Sequence, residues 1–137
     1  MRGFNAIALL MLLEAGAICA AVQGEPWFSP PGGTWAPDAS VVSVMKSDLG
    51  EAIAPLLAKQ APPSALPTRY WFQYRGQGTS SNRIIVVLGY PFPVPRGAEK
   101  DFFSVHIPEA CAVFALYLPS ERKFDWLEVG PNCPPRI

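Results

Sequence analysis

The sequence holds one histidine, three cysteines and no net charge, since 11 lysines and arginines balance 11 aspartates and glutamates. Each shortage closes off a class of function. Without a surplus of positive charge, the electrostatic term that dominates nucleic-acid affinity is missing, and nothing draws the chain to anionic lipid. Nucleic acid is therefore not an expected partner. A zinc site needs roughly four ligands, more than His106 supplies with Cys111 and Cys133, the two cysteines left once an N-terminal signal carrying Cys19 is removed, and their spacing is not CxxC, so no metal is expected. There is no GxSxG elbow, and the glycine clusters GQG and PPGG do not lead into a helix start carrying lysine. A nucleophile elbow and a phosphate-cradling loop are thus both absent, and no cofactor is expected.

What is present begins at the head of the chain. Arg2 is followed by an apolar run from Ala6 to Leu13 and then by small residues through Ala17, Ala20 and Ala21. A short positive region, an apolar segment too short to span a bilayer and an alanine-rich cleavage zone make a secretory signal over residues 1–24. Cleavage after Ala21 or after Gly24 satisfies the small-residue requirement. The alternative makes Cys19 a lipid acceptor, but a lipobox has a small residue just before the cysteine and leucine three before it, whereas Ile18 and Gly16 stand there. Simple cleavage and a periplasmic or secreted destination are expected, with no transmembrane segment in the mature chain.

Removing the signal leaves roughly 115 residues, enough for one domain with one core. The mature chain loses Glu14 and Arg2 and stays neutral. Cys111 and Cys133 are then the remaining cysteines, and an even number in an oxidising compartment reads as a disulfide. It would close a loop of about 20 residues, worth on the order of 3 kcal/mol. The 16 prolines lie beyond the signal and cluster at 26–37, 62–67, 91–95 and 131–135, marking the connections.

Residues 25–37, EPWFSPPGGTWAP, have neither a helical nor a strand period. A disordered tail is poor in aromatics, so this arm is expected to lie extended across the domain and bury Trp27, Phe28 and Trp35. Asp38 or Ser40 can cap a helix on which Val41, Val42, Met45, Leu49, Ile53, Leu56 and Leu57 recur at helical steps. Gly50 and Pro55 leave open whether this is one helix or two, with Asp48 and Glu51 as a capping pair for the second. The period then becomes two. In RYWFQYR, Tyr70, Phe72 and Tyr74 face the core, and Trp71, Gln73 and Arg75 face the other way. After the turn GQGTSSN comes RIIVVLGY, apolar on both faces and so central, with one face meeting the helix and the other the aromatic arm. A loop of about 11 residues, PFPVPRGAEKD, precedes three further strands, FFSVHI, ACAVFALYL and KFDWLEV. The last two form a hairpin near Ser120 that brings Cys111 close to Cys133. The predicted fold is α+β over residues 38–137: an N-terminal amphipathic helix on a four- to five-stranded antiparallel sheet. The element order resembles cystatin-like folds, and order alone implies no activity.

RYWFQYRGQ, RIIVVLGYPF and EACAVFALYLPSERKFDWLEVG, behind PWFSPPGGTW, are similar to small exported proteins of Gram-negative bacteria with no assigned role. Cys111, Phe114, Tyr117, Phe124 and Leu127 carry the pattern, with Pro108, Glu109 and Ala110 standing where that group has glycines before the cysteine. The resemblance implies a fold and a compartment, with no activity to transfer.

His106 invites a triad with a serine and Asp101 or Asp125, yet in SVHI it alternates with Val105 and Ile107 as an ordinary strand residue does. Glu99, Asp101, Glu109, Asp125 and Glu128 could supply a glycosidase pair, but all read as solvated strand ends and turns. No catalytic residue is assigned. The face carrying Trp71, Gln73 and Arg75 is the candidate platform for a glycan or peptide. Two classes of function remain. One is a non-enzymatic envelope protein that binds another envelope or secreted protein, as an inhibitor, immunity-type protein or accessory subunit. The other is a small hydrolase around His106. An exposed apolar patch would favour the first, and an acid and a base converging on His106 the second.

Overall fold

The computed structural model describes residues 26–60, 69–103 and 111–130. The segment 1–24 expected to be a signal, His106, Glu109 and Cys133 lie outside the described residues. The fold is α+β, one helix and a five-stranded mixed sheet, in the order β1 (Trp27–Phe28), α1 (Ala39–Gln60), β2 (Tyr70–Thr79), β3 (Asn82–Pro91), β4 (Val113–Leu118) and β5 (Lys123–Val129). The strands are neighbours in sequence order.

Two expectations are corrected. The helix is not N-terminal, because β1 precedes it, and the sheet is not wholly antiparallel, because β1 pairs parallel to β2. The cause is the connection. A helix of 22 residues rises about 33 Å and returns the chain to the end of the sheet from which β1 started, so the next strand runs the same way. The remaining pairs, β2 with β3, β3 with β4 and β4 with β5, are antiparallel as expected.

The helix is single. Asp38 sits at its N-cap, its carbonyl accepting from the Val42 N–H at 3.0 Å. Pro55 lies inside without breaking it and is exposed, so the Glu51 carbonyl deprived of a donor can turn to water. The stripe Val42, Met45, Leu49, Ile53 and Leu57 runs uninterrupted past it and is buried against Tyr70, Phe72, Ile85, Val87, Val113, Ala115 and Tyr117.

The arm covers only the β2 margin of the far face of the sheet, where Phe28 meets Trp71 and Pro31 O accepts from Arg75. It runs along the edge of β2, where Phe72 donates its N–H to the Pro26 carbonyl at 3.0 Å and Thr34 donates to Gly76 O at 2.8 Å. The Trp35 indole donates to Gln77 O at 2.7 Å. Gly76 permits this approach, since a Cβ there would collide with the Trp35 carbonyl oxygen. An edge with unpaired backbone groups captures the arm more readily than a flat apolar face does. Trp27 consequently lies on the helix side, stacked on Phe72 at 4.3 Å, with the Lys46 ammonium 5.1 Å from its ring.

Two further differences concern loops. β2 extends through Thr79, leaving a two-residue turn where GQGTSSN was expected, since Thr79 pairs with Asn82. Phe102 and Phe103 belong to no strand, and the rest of FFSVHI lies outside the described residues. The segment 92–103 instead folds back over β2.

Candidate functional site

The face of the sheet away from the helix carries the functional interest. Trp71, Gln73 and Arg75 share it, as the alternation requires, but only Arg75 keeps appreciable exposure. Gln73 is wholly buried. Its Nε2 donates to Ala98 O and Asp101 O, both at 2.7 Å, and its Oε1 accepts from Phe103 N at 2.9 Å. Both amide hydrogens and the amide oxygen hold the 92–103 segment down. Arg75 donates to Pro31 O at 2.7 Å and lies over the Phe102 ring at 4.4 Å. Trp71 is 3% exposed, packed between Tyr90, Phe103 and Phe28. These three residues hold loop and arm onto the sheet rather than present a platform.

Farther along the same face the cover stops. In β4, Val113, Ala115 and Tyr117 point into the core, while Phe114, Leu116 and Leu118 alternate outward and are half-buried. The register sets Leu116 between Val86 on β3 and Trp126 on β5, and Phe114 beside Glu128. Residues directly opposite on paired strands share a face, so Val86, Leu116 and Trp126 form one apolar row with Ile84, Leu118 and Phe114 flanking it. Trp126 is 54% exposed, its indole donating to Glu128 Oε2 at 3.3 Å. A solvated antiparallel face ordinarily alternates to polar residues. This one does not. The sequence signal was legible in VFALYL and IIVV, apolar at both parities, but the uncovered side was assigned to the arm. Trp126 in KFDWLEV gave no sign of its exposure, because strand alternation does not say which face is covered.

The adjoining edge is less inviting to another strand. Between Leu116/Tyr117 the register shifts, leaving Asp125 unpaired as a bulge, and Lys123, Asp125 and Glu128 are all exposed. Bulges and charges of this kind discourage edge-to-edge addition.

Behind the face, Tyr117, Asp48 and Arg122 tie the β4–β5 turn to the helix. The Tyr117 hydroxyl donates to Asp48 Oδ2 at 2.6 Å, and Arg122 reaches Asp48 Oδ1 at 3.0 Å. Burial raises the Asp48 pKa, but the hydrogen bonds from Arg122 and Tyr117 and the arginine charge outweigh it, holding the carboxyl below its ordinary value. Burial first, then the bond to Asp48, pushes Tyr117 up to about 12. A lowered carboxylate stabilises the fold above its unfolded pKa and loses that contribution as pH falls through the folded value. A raised tyrosine contributes fully below about pH 10 and loses it as pH rises toward about 12. Urea titrations are therefore expected to show stability falling below about pH 4 and again above about pH 10. Tyr117→Phe is expected to cost about 1.5 kcal/mol at neutral pH and to shrink the alkaline limb, with Tyr70, raised by burial, carrying the remainder.

Several hollows lie among the described residues. One of about 460 Å³ brings Asp38, Arg83 and Glu121 together with Ser80, Ser81 and Ser120. No described histidine or thiol lines it. A second, of about 790 Å³, lies beside Lys46, Ser43 and Tyr74. A third, of about 440 Å³, is bounded by Trp71, Tyr90 and Phe103. Among the described residues no group of three or more His, Cys, Asp or Glu could hold a metal ion. Glu99 and Asp101 fall on the 92–103 segment and Asp125 and Glu128 on β5. No described helix is long and apolar enough to cross a membrane. No family model, curated protein or solved structure matches the chain, so the reading of its surface rests on its own residues.

Proposed function

We propose that this chain is an exported, non-enzymatic binding module of the bacterial envelope, of inhibitor, immunity or accessory type, which docks another protein on the outer face of β3, β4 and β5. One observation carries the reading: a tryptophan 54% exposed at the end of an apolar row on a sheet face where polar residues are the rule. Exposed apolar patches rimmed by charge mark interaction surfaces, and tryptophan is the residue most often found at their energetic centre. The partner is expected to lie across the face rather than extend the sheet, because the β5 edge is bulged and charged.

Affinity capture from a periplasmic extract, followed by titration of the identified partner, tests this. Trp126→Ser is expected to weaken binding at least tenfold while changing stability by about 1 kcal/mol or less, the ring being exposed. Unchanged affinity in that variant overturns the reading.

The same proposal includes the Cys111–Cys133 disulfide. Cys111 is fully buried, as half-cystines commonly are. Gly130 N–H donates to Ala112 O at 2.7 Å, so Gly130 lies beside the residue that follows Cys111, and Cys133 is three residues further in sequence. Thiol labelling of the unfolded, unreduced mature protein is expected to find no reactive cysteine, and two reactive thiols per chain would refute the pairing. Mass spectrometry of the exported chain is expected to place its first residue between Ala20 and Glu25, and a lipid on Cys19 would show the alternative anchoring instead.

A further inference from the structure

We propose that the cleft between β2, β3 and the 92–103 segment is a small-molecule site for a ring-bearing carboxylate. It is separate from the Trp126 face and does not rest on the protein-docking reading. Its walls are aromatic and rigid. Trp71 and Tyr90 are stacked with centroids 4.9 Å apart and planes 23° apart, and Phe103 meets Trp71 edge-on at 5.9 Å. Phe103 is held in place by the bond from its N–H to Gln73. Pro91, Pro93 and Pro95 form much of the remaining rim, each with φ fixed by its ring. A cleft with so few rotors left to freeze loses little entropy when a flat ring enters.

Two polar features tell what that ring must carry. The Trp71 Nε1 is buried without an acceptor, in a side chain 3% exposed, and an unmet buried donor is costly. Trp71 lines the cleft, so a small shift of the indole would bring this donor to a ligand's acceptor. Arg96 is exposed on the rim and makes no ion pair among the described residues, and no described carboxylate lines the cleft. Apolar plates, one guanidinium and one idle N–H donor together match an anion with lone pairs on a ring that has an apolar face. At about 440 Å³ the volume falls in the range of small-molecule sites. It accommodates one or two rings and is too small for a folded segment. A sugar acid and an aromatic acid share this chemistry.

The mature protein would be titrated with glucuronate and methyl glucoside, and with benzoate and benzyl alcohol. Binding is read by tryptophan fluorescence and by the indole N–H resonance of Trp71. At least one carboxylate is expected to saturate and shift that resonance, with its neutral counterpart at least tenfold weaker. Arg96→Gln, at an exposed position, is expected to cut the carboxylate affinity roughly tenfold without loss of fold, and Trp126→Ser to leave it unchanged. Saturation by glucuronate alone identifies a glycan acid as the source, and by benzoate alone an aromatic acid. No saturation by either carboxylate, equal binding of the neutral compounds, or an Arg96→Gln affinity equal to wild type overturns the proposal. An acidic peptide that binds while both small acids fail also overturns it.

Discussion

Phe72→Ala is expected to lower the free energy of unfolding by about 4 kcal/mol, in the range found for large aromatics removed from well-packed cores. The ring is wholly buried and joins three elements at once. It packs in the cluster formed by the helix stripe and the inner faces of β3 and β4, Tyr70 stacks on it at 5.8 Å, and Trp27 of the arm stacks on it at 4.3 Å and 12°. Gly89 makes the space, for a Cβ there would come within 2.5 Å of the Phe72 ring. Little can collapse into the hole. The neighbours on one side are backbone of a paired strand, so the cavity persists and its cost adds to the lost transfer energy. Losing the ring also removes the surface on which Trp27 rests, leaving the arm to its backbone bonds. Denaturation followed by tryptophan fluorescence should show both effects: a lower midpoint, and earlier proteolysis in the arm than in the wild type. With natural domains stable by only about 5–15 kcal/mol, such a variant would be close to unfolding. A loss under about 2 kcal/mol would mean that the core closes over the gap and that Phe72 is not its centre.

Gln73→Leu is expected to cost about 3 kcal/mol, although leucine suits a buried site better than an amide does by hydrophobicity alone. The reason is what glutamine leaves behind. Two backbone carbonyls, those of Ala98 and Asp101, and the Phe103 N–H each have the Gln73 side chain as a partner. Without it, each either stays buried and unmet or reaches water by lifting the segment from the sheet. Lifting exposes Ala98, which is fully buried, and the Trp71 face beneath, so the cost of undocking sets the ceiling on the loss. Hydrogen exchange tells the routes apart. The Phe103 amide should exchange orders of magnitude faster in the variant while the α1 amides slow or accelerate only with global stability. A variant with wild-type exchange at Phe103 would show that the amide is incidental to the loop.

Some elements were legible before any coordinates because their signals are local. The helix spanning 39–60 announced itself through Val42, Met45, Leu49, Ile53 and Leu57, since a side chain needs burial only once per turn and the spacing records it. The same holds for β2, β3 and the β4–β5 hairpin, where period two and turn residues sit within a few positions of each other. Pro55 was harder to weigh. Whether it breaks a helix depends on whether the orphaned carbonyl meets water, and that depends on which side of the helix faces the sheet.

The pattern of residues alone determined that the chain is α+β, that Tyr70 and Phe72 enter the core while Trp71 and Gln73 take the opposite face, and that β3 and β4 are apolar at both parities. Tertiary structure decided what lies over that second face. The arm went to the free edge of β2 because unpaired backbone donors and acceptors hold an extended chain more strongly than an apolar surface does. The 92–103 segment covered Trp71 and Gln73 instead, tied by an amide whose partners lie 25 to 30 residues away in sequence. Trp126 was left exposed, with the row beside it half-buried. Periodicity records how each residue is oriented about its own strand. Coverage depends on where distant segments come to rest, and no local spacing encodes that.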